Sequence, residues 1–326
     1  MASDLILRVD KPDSAEQRQL FGILKRNLPS ARRFFGLMQQ EGFAAFGYRP
    51  TSLFLGRKLI SSVSTVTMNI HGGGGLIRGI GITSVVTRAS HQGRGFIRHL
   101  LEVVLSRIDR RPYAFAVLFT SKPEVYAKHG FKSAHQVNYT LDFDSLRAEL
   151  PIAEAGLTVS VWRELSREKE TSIRRIYQQY AKRHFGTLNR DTRRWKAYFT
   201  SLRLEPKDRI LLLESHGTVV GYARIRLEQD EVLLGEAYCL KKPKGLSASI
   251  LASICLRVAK EQKTRRIVLS LPRSHELIGW LTRNNAPLEK EPQSRRETLM
   301  LRLNHNNERR INKRLLNFNW CQFDTF

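Results

Sequence analysis

The chain has 326 residues, long enough for a full hydrophobic core and for two domains of ordinary size. Its 55 Lys and Arg against 30 Asp and Glu leave a net charge of +25, spread as excesses of +10 over residues 1–150, +13 over 151–303 and +2 beyond. No apolar run approaches the roughly 20 residues of a membrane span, and Met1–Leu5 lacks the basic start and apolar core of a secretory signal. The cysteines Cys239, Cys255 and Cys321 have no metal or disulfide spacing, so a cytoplasmic protein with reduced thiols and no metal is expected. Such a surface favours anionic partners, among them coenzyme A, nucleic acid, ribosomes or lipid headgroups, or it is a solvated cationic surface and nothing more.

In chain order, residues 13–27 suit a helix capped by Asp13 or Ser14 with Glu16 in its first turn. A second helical segment over 30–41 holds Phe34, Phe35, Leu37 and Met38, and strands are predicted at 52–55, 58–68 and 76–87. The glycines 72–75 join the last two strands as a hairpin connector; they lack the Lys and Ser/Thr of a nucleotide-binding loop. The third strand runs through Val85, Val86 and Thr87 into the turn His91-Gln92-Gly93-Arg94-Gly95-Phe96-Ile97-Arg98, which opens into an amphipathic helix over about 95–108. A Gly-rich turn at a helix N-terminus aims several backbone N–H groups and the positive end of a helix dipole at one point, and Arg94 and Arg98 can add charge-assisted bonds. That is a place to hold a phosphate group. His91 reads as a turn residue pointing to solvent.

A strand over 113–119 follows, then Ser121 and Lys122, and a short helix that Pro123 starts and Gly130 ends. Tyr126 lies in that helix, ahead of Gly130-Phe131, and from the residues alone it reads equally as a half-buried aromatic. A closing strand holds Tyr139 and Leu141.

The second half repeats the plan with almost no identity, the signal of an internal duplication. Strands are predicted at 157–163, 209–215, 218–228, 232–240, 266–271 and 298–303, with helices at 166–183, 191–201, 247–262 and 274–283. Where the first half has its glycine turn, the second has Lys241-Lys242-Pro243-Lys244-Gly245-Leu246. Pro243 removes an N–H from the equivalent nest, so this half reads as structural. Seven aromatic residues between Trp162 and Phe199 sit at largely helical spacing among arginines. Core packing is their default reading, and a stacking platform for single-stranded nucleic acid the alternative.

The order strand, glycine turn, helix, strand, short helix with Tyr, Gly-Phe, strand resembles the cofactor half of the GNAT acetyltransferases. The tandem of one intact and one degenerate unit resembles the enhanced intracellular survival (Eis) group. Gly81-Ile82-Thr83-Ser84-Val85 and the large Ile97 after the second glycine are similar to that group's pattern. The resemblance implies an α/β (α+β) fold of two tandem acyl-CoA N-acyltransferase domains, each a mixed sheet flanked by helices. It divides the chain into a catalytic unit over 1–150, a degenerate structural unit over 151–303 and a basic, aromatic tail over 304–326. The sterol-carrier-like domain of the Eis group has no counterpart in this sequence.

Carried over residue by residue, the resemblance implies acetyl-CoA as co-substrate and no metal. Val85, Val86 and Thr87 would hold the pantetheine arm, and Gly93, Arg94, Gly95, Phe96, Ile97 and Arg98 the pyrophosphate. Ser121 and Lys122 would lie beside the arm, with Tyr126 as general acid and the terminal carboxylate of Phe326 as general base. It also points to a homo-oligomer. No Asp or Glu lies between Gly79 and Thr87 to serve as base. The segment Lys25–Phe35, where the Eis group has an acidic lining for polyamine-like antibiotics, is basic, which favours a neutral or anionic amine, or an amine on a protein. The expected function is transfer of acetyl to a primary amine by direct attack; the alternative is a nucleic-acid- or ribosome-associated protein that keeps the fold as a structural element.

Overall fold

In the computed structural model, the described residues are 5–9, 13–28, 32–72, 74–134, 137–142, 157–240, 266–272, 275–291 and 298–304. They form two seven-stranded mixed sheets with helices packed against them. The predicted turn Lys241–Leu246, the helix over 247–262, the boundary near residue 150 and the tail with Phe326 lie outside them, as do Cys255 and Cys321.

The first sheet begins with β1 (Leu5–Val9), which no sequence pattern announced because four of its five residues are exposed. It pairs antiparallel with β2 (Tyr48–Leu55) and is tied to helix α1 (Ser14–Asn27) by an Arg8–Glu16 ion pair. Asp13 caps α1 in a full capping box: its carboxylate accepts from the Glu16 N–H, and Glu16 accepts from the Asp13 N–H. Helix α2 (Arg32–Glu41) packs beside α1. Strands β3 (Lys58–Gly72) and β4 (Gly75–Thr87) continue the antiparallel meander. After helix α3 (Phe96–Asp109), β5 (Phe115–Thr120) joins β4 in parallel, and the short helix α4 (Pro123–Ala127) follows it. The second sheet repeats this with β8 (Leu157–Trp162), β9 (Asp208–Ser215), β10 (Thr218–Leu227), β11 (Glu231–Cys239) and β12 (Arg266–Leu269), the last again parallel. Helices α5 (Arg167–Ala181) and α6 (Thr192–Leu204) lie between β8 and β9 in the chain.

Each half was expected to close its own sheet, and the pairing differs. Strand β7 (Asn138–Asp142), with Tyr139 and Leu141, leaves the first half and pairs with β12 and with β13 (Leu288–Glu291) of the second sheet. Strand β14 (Thr298–Leu303) crosses the other way and inserts between β5 and the short β6 (Lys132–Ser133). The sheet orders are therefore β1-β2-β3-β4-β5-β14-β6 and β8-β9-β10-β11-β12-β7-β13, the same plan with one strand exchanged. Side chains explain the preference. Tyr139 and Leu141 bury among Leu211, Leu213, Ile267 and Leu269, while Leu299 and Leu301 bury against Phe115 and Val117. Arg302 fixes the crossing with a bidentate pair to Asp109 at the end of α3, at 2.7 and 2.8 Å.

His275, at the N-cap of α7 (Glu276–Arg283), donates from Nε2 to the Ala237 carbonyl of β11 at 2.7 Å and accepts the Leu277 N–H at Nδ1. Its ring lies near those of Tyr180 and Tyr238. In the same core, Arg190 and Glu236 form a fully buried pair, and the carboxylate also accepts from the hydroxyls of Tyr198 and Tyr222. Tyr177, Tyr180, Trp195, Tyr198 and Phe199 are all buried there, so they are packing residues and not a nucleic-acid platform. Cys239 is a half-buried thiol outside any disulfide.

Two outcomes follow from this packing. A Cβ on Gly79 would stand 2.2 Å from the Phe115 ring, so Gly79→Ala should cost roughly 1–3 kcal/mol in urea unfolding, the range for overpacking. Burial pushes His275 down to about 4 from its ordinary 6.5. A folded-state pKa lowered in this way stabilises the protein above 6.5, and the contribution is lost as pH falls through 4. Stability should therefore drop by about 3 kcal/mol across that window, and His275→Gln should flatten the drop.

Candidate functional site

Strands β4 and β5 pair only at Gly79–Phe115, Ile80–Ala116 and Gly81–Val117, then part. A bulge in β4 marks the divergence: Ser62 faces Val86 and Ser64 faces Thr83, so Ser84 and Val85 together stand opposite Val63, with Ser84 at φ 52°. Past the bulge, among the described residues β4 pairs with no strand but β3, and Gln92 Nε2 donates to the Thr87 carbonyl at 3.3 Å. Ser61 Oγ donates to the Val86 carbonyl at 3.1 Å and lies 2.8 Å from Thr87 Oγ1, which fixes the strand's end. The other edge, through Val85, Val86 and Thr87, lines a cleft of about 1210 Å³.

At the mouth of this cleft the chain turns into α3. Gly93 and Gly95 sit at φ 75° and 78°, a region open to glycine at little cost, and a Cβ on either would project into open space. His99 makes the first intrahelical bond, to the Gly95 carbonyl at 3.1 Å. The N–H groups ahead of it, through Phe96, Ile97 and Arg98, are thus directed at the turn. Arg94 is exposed within the turn itself, whereas Arg98 leans along the helix to Glu102 at 3.0 Å, so Arg94 is the arginine placed at the nest. His91 departs from the expectation of a solvent-facing side chain: it is 9 % exposed, with Nδ1 2.8 Å from Ser90 Oγ and its ring beside Phe96. Burial, with Lys58, Arg94 and Arg88 around it, lowers its pKa and keeps it neutral.

Across the cleft from β4, Ser121 and Lys122 follow the end of β5, where Thr120 Oγ1 accepts the Lys122 N–H at 2.9 Å. Helix α4 then brings Tyr126 to the wall, 8 % exposed and edge-on to Phe131 at 6.2 Å. The fold thus gathers the residues singled out in the first half around one cavity; Phe326 lies outside the described residues. A glycine nest with an adjacent arginine suits a pyrophosphate, and an open strand edge suits an amide-bearing arm. Among the described residues no group of His, Cys, Asp and Glu could hold a metal, and no helix is long and apolar enough to cross a membrane.

The far wall was not legible in the sequence. It comes from the second half: α6 presents Arg194, Ala197, Tyr198, Ser201 and Leu204, spaced as one helical face, and Glu205 follows. The segment before it bridges antiparallel to the end of β3, with His71 N–H bonded to the Thr187 carbonyl and Asn189 N–H to the Asn69 carbonyl, both at 2.8 Å. Arg194 Nη2 donates to the Thr67 carbonyl at 3.1 Å, Arg33 donates to the Leu204 carbonyl at 3.3 Å, and Lys196 pairs with Glu41. In the sequence Arg194 is one of several arginines interleaved with the aromatics, and the apolar periodicity of the helix accounts only for Trp195, Phe199 and Leu202.

Residues 33–134 match the acetyltransferase (GNAT) domain family. A protein of Streptomyces coelicolor described as an uncharacterized N-acetyltransferase is 26 % identical over 141 residues, 43 % of this chain and 30 % of that one, so the match spans under a third of the relative. The solved structure of Eis1 from Mycobacterium abscessus superposes with a TM-score of 0.64 at 17 % identity, covering 92 % of this chain and 73 % of that one. A tandem GNAT protein from the clavulanic acid biosynthesis pathway gives 0.53 at 12 %, covering 91 % and 98 %. Residues 33–134 thus match a GNAT acetyltransferase domain, and the fold as a whole is like those of the Eis1 and tandem GNAT structures.

Proposed function

We propose that the protein is an acetyl-CoA-dependent N-acetyltransferase that acts on a primary amine by direct attack. The observation that carries this reading is the single cleft shared by the glycine nest, the parted edge of β4 and Tyr126. The nest at Gly93–Arg98 would take the pyrophosphate, with Arg94 as its charged contact. The edge through Val85, Val86 and Thr87 would pair with the pantetheine arm as an added strand, with Ser121 and Lys122 beside it.

The thioester would then lie where β4 and β5 part, with backbone N–H groups of β4 near the oxygen that gains charge. The amine attacks from the side of α2 and α6. Tyr126 protonates the departing thiolate from a largely water-free wall, which a phenol can do because the thiolate is formed at its side. The amine must shed a proton as it attacks. The carboxylate of Phe326 remains a proposed acceptor for it, and Glu205 is the only carboxylate among the described residues that line the cleft.

Titration calorimetry tests the reading first. Acetyl-CoA should bind the intact protein, and Arg94→Glu should weaken it at least about 10-fold, since it replaces a charge-assisted contact with repulsion. No binding by the intact protein would refute the assignment of the nest. With an accepted amine, Tyr126→Phe should keep acetyl-CoA affinity and lower kcat by roughly 10²–10⁴, the range for loss of a general acid. An unchanged kcat would return Tyr126 to the role of a packing residue.

A further inference from the structure

Beyond the point where the thioester would lie, apolar side chains from both halves line the cleft: Phe34 of α2, Phe46, Tyr48 of β2, Val66 of β3, and Ala197 and Leu204 of α6. Five of them belong to one core. Phe46, Tyr48 and Val66 are buried in it, and Phe34 and Ala197 are half-buried against it. Phe34 meets Phe46 edge-on, with ring centroids 5.4 Å apart. In the sheet, Tyr48 stands opposite Val66 and Val66 opposite Gly81, and Gly81–Val117 is the last pair before β4 and β5 part. Neighbouring strands lie about 4.8 Å apart, so this wall begins one strand from the place of the acetyl group. Arg33 and Arg194, which also line the cleft, hold α6 across it through the Leu204 and Thr67 carbonyls. The whole cleft, at about 1210 Å³, exceeds the roughly 300–1000 Å³ of an ordinary small-molecule pocket and has room for a second substrate beside the coenzyme.

We infer that the acceptor joins its primary amine to an aromatic ring through a short linker, and that Phe34 and Ala197 form the wall that selects the ring. The inference rests on the acetyltransferase reading above. A ring laid on this wall gains from the area removed from water and from an edge-to-face contact with rings already in place. A second ammonium, as on a polyamine, would lose hydration against the same side chains without a polar partner among them. The wall also helps the chemistry. Loss of water around the amine disfavours its ammonium form, and the neutral form is the nucleophile. Its nitrogen bonds the acetyl carbon, the carbon–sulfur bond breaks, and sulfur takes the Tyr126 proton. Nitrogen sheds a proton to water, and Tyr126 takes one back from water. The products are the N-acetyl arylalkylamine and the free thiol.

The test is thiol release from acetyl-CoA with phenethylamine against ethylamine, and with putrescine as the polyamine control. Phenethylamine should exceed both at least about 10-fold in kcat/KM, a factor within reach of burying one aromatic side chain. Phe34→Ala should bring the ratio of phenethylamine to ethylamine down toward one, chiefly through KM for phenethylamine, in a protein that still binds acetyl-CoA by calorimetry. Ala197→Gln, which puts a polar group on the same wall, applies the same test should Phe34→Ala fail to fold. If acetyl-CoA binds but phenethylamine does not outpace ethylamine, or putrescine is preferred, the inference is overturned while the acetyltransferase reading stands. A preference for the ring that survives both substitutions also overturns it, because the ring is then held elsewhere. If acetyl-CoA does not bind, both readings fall.

Discussion

The exchange of β7 and β14 is the constraint on which the rest of the molecule depends. A strand at the middle of a sheet is held on both edges, so neither half can rotate against the other without breaking a ladder. Leu299 and Leu301 of β14 fill the same core as Phe115 and Val117 of β5, and Arg302 locks onto Asp109. In return, Tyr139 and Leu141 of β7 sit in the core of the opposite sheet with Ile267 and Leu269 of β12. A cleft walled on one side by β4 and on the other by α6 can therefore have fixed dimensions, even though its walls lie more than 100 residues apart in the chain.

Within that frame the two halves treat one geometry in opposite ways. In both, a parallel strand joins the meander and then parts from it. In the first half the parting leaves Val85–Thr87 with an open edge and a glycine nest at its end. In the second, the imidazole of His275 takes the Ala237 carbonyl, and Arg190, Glu236, Tyr198 and Tyr222 satisfy one another in the neighbouring core. Burying that many polar groups costs more than packing apolar ones, and a buried ion pair is weak evidence for stability. What the network does supply is a rigid base for α6, because Tyr198 belongs to both the network and the cleft wall.

Much of this was legible in the sequence where local chemistry dictates structure. Asp13 and Glu16 announced the start of α1, Gly93 and Gly95 the turn, and Pro123 and Gly130 the limits of the segment around Tyr126. Alternating and helical apolar periods located most strands and helices of both halves. The exchange was not legible, because β7 and β14 have the same apolar alternation and either sheet could bury it; pairing partners are decided by complementary side chains far away in the chain. Exposed β1 escaped for lack of any buried face, and His91 was misread because its cover, Phe96, belongs to the next helix.

The site shows the same division between local and distant information. Every residue of the nest and of the β4 edge lies between Val85 and Arg98, and follows from backbone geometry that glycine and a strand end impose. The acceptor wall draws on α2 and α6, and no local pattern sets Arg194 apart from its neighbours Arg190 and Arg193. Only the folded chain separates them: Arg190 is consumed by Glu236, Arg193 stays on the exposed face, and Arg194 reaches the Thr67 carbonyl of the first half. The net charge of +25 is thus not a uniform property of the surface. Part of it, Arg32, Arg33, Arg94 and Arg194 included, lines the cavity, where among the described residues Glu205 is the one carboxylate.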